Sequence, residues 1–261
     1  MTESPFATPE TSSVPLEPKK AAGCGFMGLL VAIAIVVVLI GLILPNLSRG
    51  VAVRGTALRV QCGNNLKHIL LALHEYRDVH EVFPPACTVN AEGRPLHSWR
   101  TIILPFLDQE KLYDSVDLTK PWNDPINAKA LLSMPSVYRC PSTDQLDHTT
   151  TYLAVVGEQS FLHPIDPRSM SEISDGTPNT LAVIEVAQEN AVPWMSPLDA
   201  DEAGVITFGR SGTLVHAEGR SPGFANAAFA DGSVRILSAD LSPETRRALV
   251  SIAGGDKIGE F

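Results

Sequence analysis

The pattern of apolar and polar positions begins with one long apolar run near the N-terminus. Residues 25–44 contain twenty consecutive uncharged positions, and as a helix they would span about 30 Å, the thickness of a bilayer core. The run predicts a transmembrane helix at residues 25–45. A buried core helix and a cleaved secretory signal are the alternatives, but the run exceeds the usual signal length of about 7–15 residues and no small-residue cleavage site follows.

After Pro45 the predicted helix continues as an amphipathic segment, residues 46–80. Apolar residues recur there at steps of three and four, which is the spacing of one helix face. They are Cys62, Leu66, Ile69, Leu70, Leu73 and Tyr76. We therefore expect a helix over about residues 26–80 whose second half docks on a globular domain.

Residues 1–24 and 81–261 lie on either side of this helix. The first range is rich in Pro, Ser, Thr and Glu and has no apolar periodicity, so it predicts a disordered cytoplasmic leader. The second range has the alternation of capped helices and short β-branched runs that is typical of an α+β head. The fold prediction is a long helix packed on an antiparallel sheet.

Within the head, caps and apolar runs predict individual elements. Helices are expected from Ser98 to about Asp114 with a kink at Pro105, from Asp124 through Leu132, and from Ser242 to about Ile252. Strands are expected at 136–139, 150–156, 180–186 and 204–208. Segments 226–230 and 233–237 flank Asp231-Gly232, which would supply the two positive-φ positions of a type I′ hairpin turn.

Charge narrows the class of partner. The chain has 20 Lys plus Arg against 29 Asp plus Glu, a net charge of -9, so nucleic acid is not an expected partner. Basic residues flank the apolar run on both sides, with Lys19 and Lys20 before it and Arg49, Arg54 and Arg59 after it. Charge alone therefore leaves the orientation of a membrane helix open.

Three cysteines follow the apolar run: Cys62, Cys87 and Cys140. An extracytoplasmic head would hold them in an oxidising compartment, where disulfides persist. Two states stay open. Cys62 and Cys140 could join the docking helix to the sheet in a disulfide that contributes about 3–5 kcal/mol, or all three could be free buried thiols.

Acidic and histidine clusters offer no clear metal site. Asp199, Asp201 and Glu202 could bind calcium, although the loop lacks EF-hand spacing and a solvated acidic loop is the preferred interpretation. His68, His74 and His80 are six residues apart, so they do not share one helix face. No metal and no cofactor are predicted.

Neither a Gly-x-Ser-x-Gly motif nor a phosphate-binding glycine loop occurs. We therefore predict no catalytic residues and do not expect an enzyme. Trp99, Trp122 and Trp194 could belong to the core or to a ligand-stacking surface, and burial is the preferred interpretation.

Short stretches of the sequence resemble known bacterial families. Residues 29–35 resemble the apolar leader region of type IV prepilins and pseudopilins. The following stretches resemble the prepilin-like family called "domain of unknown function 1559": 61–67, 71–76, 82–85, 96–100, 103–107, 138–142, 151–157, 174–177 and 230–234. The resemblance covers about residue 25 to the C-terminus and implies a pilin-like architecture with a 1559-type head at 81–261.

The prepilin resemblance also implies a leader-peptidase site between Gly23 and Cys24. Two departures limit what the resemblance implies. Gly28 stands where pilins carry a glutamate, which makes filament assembly doubtful. Ser221 stands where the family's C-terminal signature has a histidine, with nine residues between it and Asp231, so the signature histidine is assigned to no residue.

These observations predict a membrane-anchored, pilin-like structural or interaction protein of the bacterial envelope. It would cross the inner membrane once, with an extracytoplasmic head, and its partners would be the lipid bilayer and other pilin-like subunits. The alternative is a monomeric anchored module that binds a ligand through its head.

Overall fold

The structure is a computed structural model that describes residues 26–141, 148–207 and 223–255, with side chains at 26–27 and 41–56 left out. The chain forms two units, Met1–Val51 and Ala52–Phe261. Helix α1 extends over Phe26–His80 and so contributes residues to both units. The predicted leader at 1–24, including Gly23 and Cys24, lies outside the described residues.

In the first unit, the described side chains of α1 at residues 28–40 are all exposed. Among the residues that the structure describes, no helix combines the length and the hydropathy that crossing a membrane requires. The prediction of a transmembrane helix at residues 25–45 is therefore wrong for the described chain.

The second unit contains short helices and antiparallel strands. The helices after α1 are α2 (Trp99–Ile102), α3 (Glu110–Tyr113), α4 (Ala128–Leu131), α5 (Glu202–Thr207) and α6 (Pro243–Val250). The strands are β1 (Cys87–Val89), β2 (Pro95–Ser98), β3 (Thr149–Thr150), β4 (Tyr152–Ala154), β5 (Leu181–Glu185), β6 (Val192–Pro193), β7 (Phe224–Phe229) and β8 (Val234–Ser238). The class is α+β.

One four-stranded antiparallel sheet organises this unit, in the order β4-β5-β7-β8. Both of its faces are buried. On one face, Tyr152 and Ala154 of β4 belong to the same cluster as Leu66, Ile69 and other residues of α1. On the other face, a second cluster combines strand residues with residues of α5 and α6; among them are Leu153, Val155, Ala227, Val205, Leu249 and Val250. The sheet is thus the middle layer between helices.

The amphipathic pattern of residues 46–80 predicted the docked face correctly. Cys62, Leu66, Ile69, Leu70 and Leu73 have no exposed surface, because their spacing of three and four residues aligns them along one side of α1. The helix ends at His80, where Glu81 takes a left-handed backbone conformation with φ 67°.

Two predicted strands are wrong. Residues 136–139 form a 3-10 turn at Ser136–Tyr138, and residues 204–207 belong to α5. A run of four or five apolar residues does not distinguish a strand from a buried helical turn by periodicity. At α5 the Asp201 carboxylate accepts the Gly204 N–H at 2.7 Å, which stabilises a helix start.

The predicted helix from Ser98 to Asp114 is interrupted. Ser98 caps α2 as expected, with its hydroxyl accepting the Arg100 N–H. A 3-10 turn then occupies Leu104–Leu107, and Asp108 adopts φ 57° before α3 begins. Pro105 lacks the N–H that a continuous helix needs, so the predicted helix is broken by a turn at this point instead of being kinked.

The hairpin of β7 and β8 lies where it was predicted, but its turn differs. Gly232 has φ 85°, whereas Asp231 is not among the residues with positive φ. The Gly232 N–H donates to Phe229 O and the Asp231 carboxylate accepts the Ser233 N–H at 2.8 Å. One positive-φ position suits a type I turn followed by glycine rather than the predicted type I′ turn.

Candidate functional site

A cavity of about 470 Å³ lies between the sheet and α5. Leu153 of β4 and Ile184 of β5 line its sheet side, Val205 of α5 lines the helix side, and Val192 and Asp199 complete the wall. Small-molecule sites are typically about 300–1,000 Å³ and mostly apolar with a few polar groups. The cavity has both properties.

The polar side of this region is organised by Arg100 on α2, which is fully buried. A guanidinium has five N–H donors, and all five of them are used here. Nε donates to Tyr152 O at 3.1 Å; Nη1 donates to Ser98 Oγ at 2.7 Å and Ser196 O at 3.3 Å; Nη2 donates to Leu198 O at 3.2 Å and Asp199 Oδ1 at 2.7 Å. Arg100 therefore connects α2, β4 and the 196–199 segment at a single fixed point.

Only one oxygen of the Asp199 carboxylate accepts hydrogen bonds within the described residues. Its Oδ1 accepts three hydrogen bonds, from Trp99 Nε1 at 3.1 Å, Arg100 Nη2 at 2.7 Å and Ala154 N at 2.8 Å. Its Oδ2 is buried and has no hydrogen-bond partner among the described residues. The side chain is only 4% exposed, so the free oxygen lies within the protein where an unmet acceptor is costly.

Burial shifts the pKa values of this pair in opposite directions. It raises the pKa of Asp199 to about 6, opposed by the charge of Arg100 and by the bonds to Oδ1. Burial also lowers the pKa of Arg100, opposed by the charge of Asp199. The guanidinium of Arg100 and the carboxylate of Asp199 lie 2.7 Å apart and form a buried ion pair.

A second polar cluster joins α1 to the sheet. Cys62 and Cys140 form a disulfide with their Cα atoms 5.2 Å apart. This is the pair that the sequence analysis put forward against free thiols. Cys87 is buried and free, and its Sγ donates to Pro164 O at 3.4 Å; burial raises the pKa of this thiol.

Glu185 of β5 is fully buried beside this disulfide and accepts a hydrogen bond from Asn226 Nδ2 at 2.7 Å. Ligand atoms of Cys62, Cys140 and Glu185 lie within 4.8 Å of one another, the one such group in the part of the chain that the structure describes. A thiolate is the form of cysteine that binds metals. Both sulfurs are joined in the disulfide, so this group is a structural link and not a metal centre.

One known protein family is similar to the part of the chain that contains both cysteines of the disulfide. A family described as "Protein of unknown function (DUF1559)" matches residues 51–163. This matched range is the DUF1559 segment. The match is narrower than the expected coverage from residue 25 onward, and the prepilin part of the resemblance stays a prediction. No curated protein and no solved structure matches the chain.

The DUF1559 segment contributes residues to both polar clusters, and residues outside the segment complete them. Cys62, Cys140, Trp99 and Arg100 lie inside residues 51–163, whereas Asp199 lies outside. The ion pair and the cavity therefore form only when the DUF1559 segment packs against the C-terminal part of the chain.

The calcium interpretation of the acidic loop does not match the structure. Asp199 is buried and paired with Arg100, Asp201 caps α5, and Glu202 pairs with Arg247 at 3.0 Å. Among the described residues these three carboxylates form no convergent metal group. Asp201 and Glu202 are exposed, as the preferred alternative of a solvated acidic loop states, although Glu202 begins α5; the side chain of Asp199 is buried, so for this residue the alternative is wrong.

Two of the three tryptophans are core residues, as the preferred interpretation states. Trp99 and Trp194 have no exposed surface, and Trp194 Nε1 donates to Leu131 O at 2.8 Å. Trp122 is half-buried. The tryptophans therefore support the core and, through Trp99, the position of Asp199.

Among the three histidines, His74 is half-buried with its ring edge against Phe83, while His68 and His80 are exposed. Burial lowers the pKa of His74. The predicted hairpin residues Asp231 and Gly232 lie in the turn between β7 and β8.

Sequence reasoning missed Arg100 and Asp199 as a pair. The only local signal is an arginine between Trp99 and the apolar residues that follow it, in a segment that otherwise reads as buried. Because Asp199 is 99 residues away along the chain, no spacing rule connects the two.

Proposed function

We propose that this chain is an extracytoplasmic ligand-binding protein of the bacterial envelope. The observation that carries the proposal is the mostly apolar cavity of about 470 Å³ between the sheet and α5. A concave apolar site with few polar groups is the usual form of a small-molecule site. This is the binding alternative that the sequence analysis left open.

The proposed compartment is supported by the bond between Cys62 and Cys140. Disulfides persist in oxidising compartments and are rare in the reducing cytoplasm. The bond closes a loop of 78 residues and ties α1 to the segment that precedes β3 and β4. A reducing compartment would remove this link.

Binding to the cavity can be tested with hexan-1-ol as a neutral apolar probe and the full chain. We expect saturable binding by ligand-observed NMR. Val192 is a half-buried residue of the cavity wall, so the indole of Val192→Trp would fill part of the cavity and should lower the affinity at least tenfold. The control is Leu132→Trp, at a residue that is 67% exposed and does not line the cavity. Equal binding by both variants would contradict the proposal.

A structural role is the second candidate, favoured by the surface of the first unit. Residues 28–40 of its helix are all exposed, and the exposed fraction of the large apolar residues among them ranges from 46% at Leu30 to 62% at Val37. A contiguous apolar surface of this kind is poorly solvated and marks an association site. We propose that the same segment of further copies covers it, as the prepilin resemblance implies.

Assembly through this segment predicts a change in molecular mass. Light scattering of the full chain should give oligomers, and Val37→Glu should reduce them to smaller species, because the charge would be buried in the contact. Val79→Glu is the matched control, since Val79 lies in the second unit and is 68% exposed. Oligomers that survive Val37→Glu would exclude this second candidate.

A further inference from the structure

We propose that reduction of the disulfide between Cys62 and Cys140 creates a zinc site, in which the two thiolates and the carboxylate of Glu185 bind the ion. In the oxidised chain the same group is a structural link, so the two states exclude each other. The inference goes beyond the proposed binding function. Both cysteines belong to the core cluster on the α1 side of the sheet, whereas Leu153 and Ile184 of the cavity wall belong to the cluster on the other side.

Three separate elements bring the ligand atoms of this site together. Cys62 lies on α1, Cys140 follows the 3-10 turn at Ser136–Tyr138, and Glu185 lies on β5, which pairs with β4 and β7. The ligand atoms of the three residues lie within 4.8 Å of one another. Atoms bound to one tetrahedral zinc at about 2.0–2.3 Å are about 3.5–3.8 Å apart. The fold therefore holds the three groups close to the separation that zinc requires.

The chemistry and the burial of the group also suit zinc. Thiolate sulfur and carboxylate oxygen are both common zinc ligands. All three residues have no exposed surface, so two thiolates and a carboxylate would put three negative charges in a buried space. Such a concentration of charge is costly unless a cation accompanies it. A divalent ion compensates two of the three charges, which a monovalent ion does not.

Asn226 on β7 orients the carboxylate of the proposed site. Its Nδ2 donates a hydrogen bond to Glu185 Oε2 at 2.7 Å, and Asn226 itself is only 4% exposed. Carboxylates that bind metals usually accept such a bond from a neighbouring group. A carboxylate has about four lone-pair sites on its two oxygens, so Glu185 can accept this bond and bind an ion at the same time.

The conversion between the two states is a two-electron reduction. A dithiol reductant supplies two electrons and two protons, the Sγ–Sγ bond breaks, and the reductant becomes a cyclic disulfide, so that the protein holds two thiols. Zinc then displaces both thiol protons to the solvent and forms two Zn–S bonds and one Zn–O bond. The ion thereby replaces the covalent link between α1 and the segment that contains Cys140.

The test compares zinc binding by the full chain in its two redox states. The reduced chain is prepared with dithiothreitol, separated from the reductant by gel filtration without oxygen, and titrated in competition with a chromophoric zinc chelator. We expect the reduced chain to bind zinc with a Kd below about 1 μM, and the oxidised chain to bind it at least about a hundredfold more weakly. Equal binding in both states, or no binding by the reduced chain, would overturn the proposal.

Variants of the reduced chain identify the ligands. Glu185→Gln should weaken zinc binding at least about tenfold, because a neutral amide replaces a carboxylate ligand. The matched control is Glu189→Gln, at an exposed acid four residues further along the chain. Cys87→Ala, which removes the free buried thiol, is the second control. Both controls should keep the affinity of the parent chain, and a loss in either one as large as that in Glu185→Gln would place the ion at another site.

Because Glu185 is fully buried, Glu185→Gln could fail to fold, so a second measurement uses the unmodified chain. An ion that binds the folded chain stabilises it by mass action. The reduced chain should therefore unfold at a higher urea concentration with Zn²⁺ than with a chelator, whereas the oxidised chain should unfold at the same concentration in both. If zinc did not raise the midpoint of the reduced chain, the folded group would not be a zinc site.

Discussion

Replacing Arg100 by alanine is expected to lower the free energy of unfolding by about 3–5 kcal/mol. The substitution removes a fully buried guanidinium and all five of its hydrogen bonds, and it leaves the Asp199 carboxylate buried without a counterion. Urea denaturation at pH 7, followed by circular dichroism, measures this loss.

The matched control is Arg247→Ala. Arg247 also pairs with a carboxylate, that of Glu202, but the two side chains are 61% and 55% exposed. Exposed pairs contribute about 0–1 kcal/mol, so this variant should stay close to the parent. In the double variant Arg100→Ala/Asp199→Ala the loss should be smaller than the sum of the single losses, because the two groups are coupled. Additive losses would show that Arg100 acts through packing alone.

Removing the disulfide by Cys62→Ala/Cys140→Ala is expected to cost about 4.5 kcal/mol, the chain-entropy value for a loop of 78 residues. The bond ties α1 to the segment that precedes β3 and β4, so its loss gives the unfolded chain more freedom. Treatment of the parent chain with a thiol reductant should produce a similar loss. Denaturation with and without reductant measures both effects.

Cys87→Ala is the control for this second prediction. It removes a buried thiol and its bond to Pro164 O but no covalent link, and it should cost about 1 kcal/mol. It should also leave the response to reductant unchanged. If the double variant were no less stable than Cys87→Ala, the disulfide would not contribute to the folded state.

These two links position the proposed site. The disulfide fixes α1 against one face of the sheet, and the cavity opens on the other face. The ion pair holds the 196–199 segment beside β4, where Asp199 reaches the cavity wall.

Local sequence signals predicted several elements correctly. The three- and four-residue spacing from Cys62 to Leu73 identified the docked face of α1, because helix geometry alone determines which side chains share a side. Ser98 and Ser242 identified two helix starts, since a cap is a contact between close neighbours. Asp231-Gly232 identified the hairpin although its turn type was wrong.

Predictions that depended on an apolar run alone, without knowledge of what packs against it, were less reliable. The runs at 136–139 and 204–207 became helical turns, because a few apolar residues suit either a strand or a helix. The apolar run at 25–45 predicted a transmembrane helix, which the described residues do not contain. The α+β class was correct, but the membrane part of the fold prediction was not.

The sequence by itself determined the class of the fold, the buried face of α1 and the similarity of residues 51–163 to the DUF1559 family, because each depends on neighbouring residues or on a linear pattern. Only the tertiary structure decided that Asp199 is buried rather than solvated and that Arg100 lies 2.7 Å from it. The burial of a carboxylate depends on what packs around it, and that contact joins segments 99 residues apart. The proposed site therefore arises from folding and not from a motif.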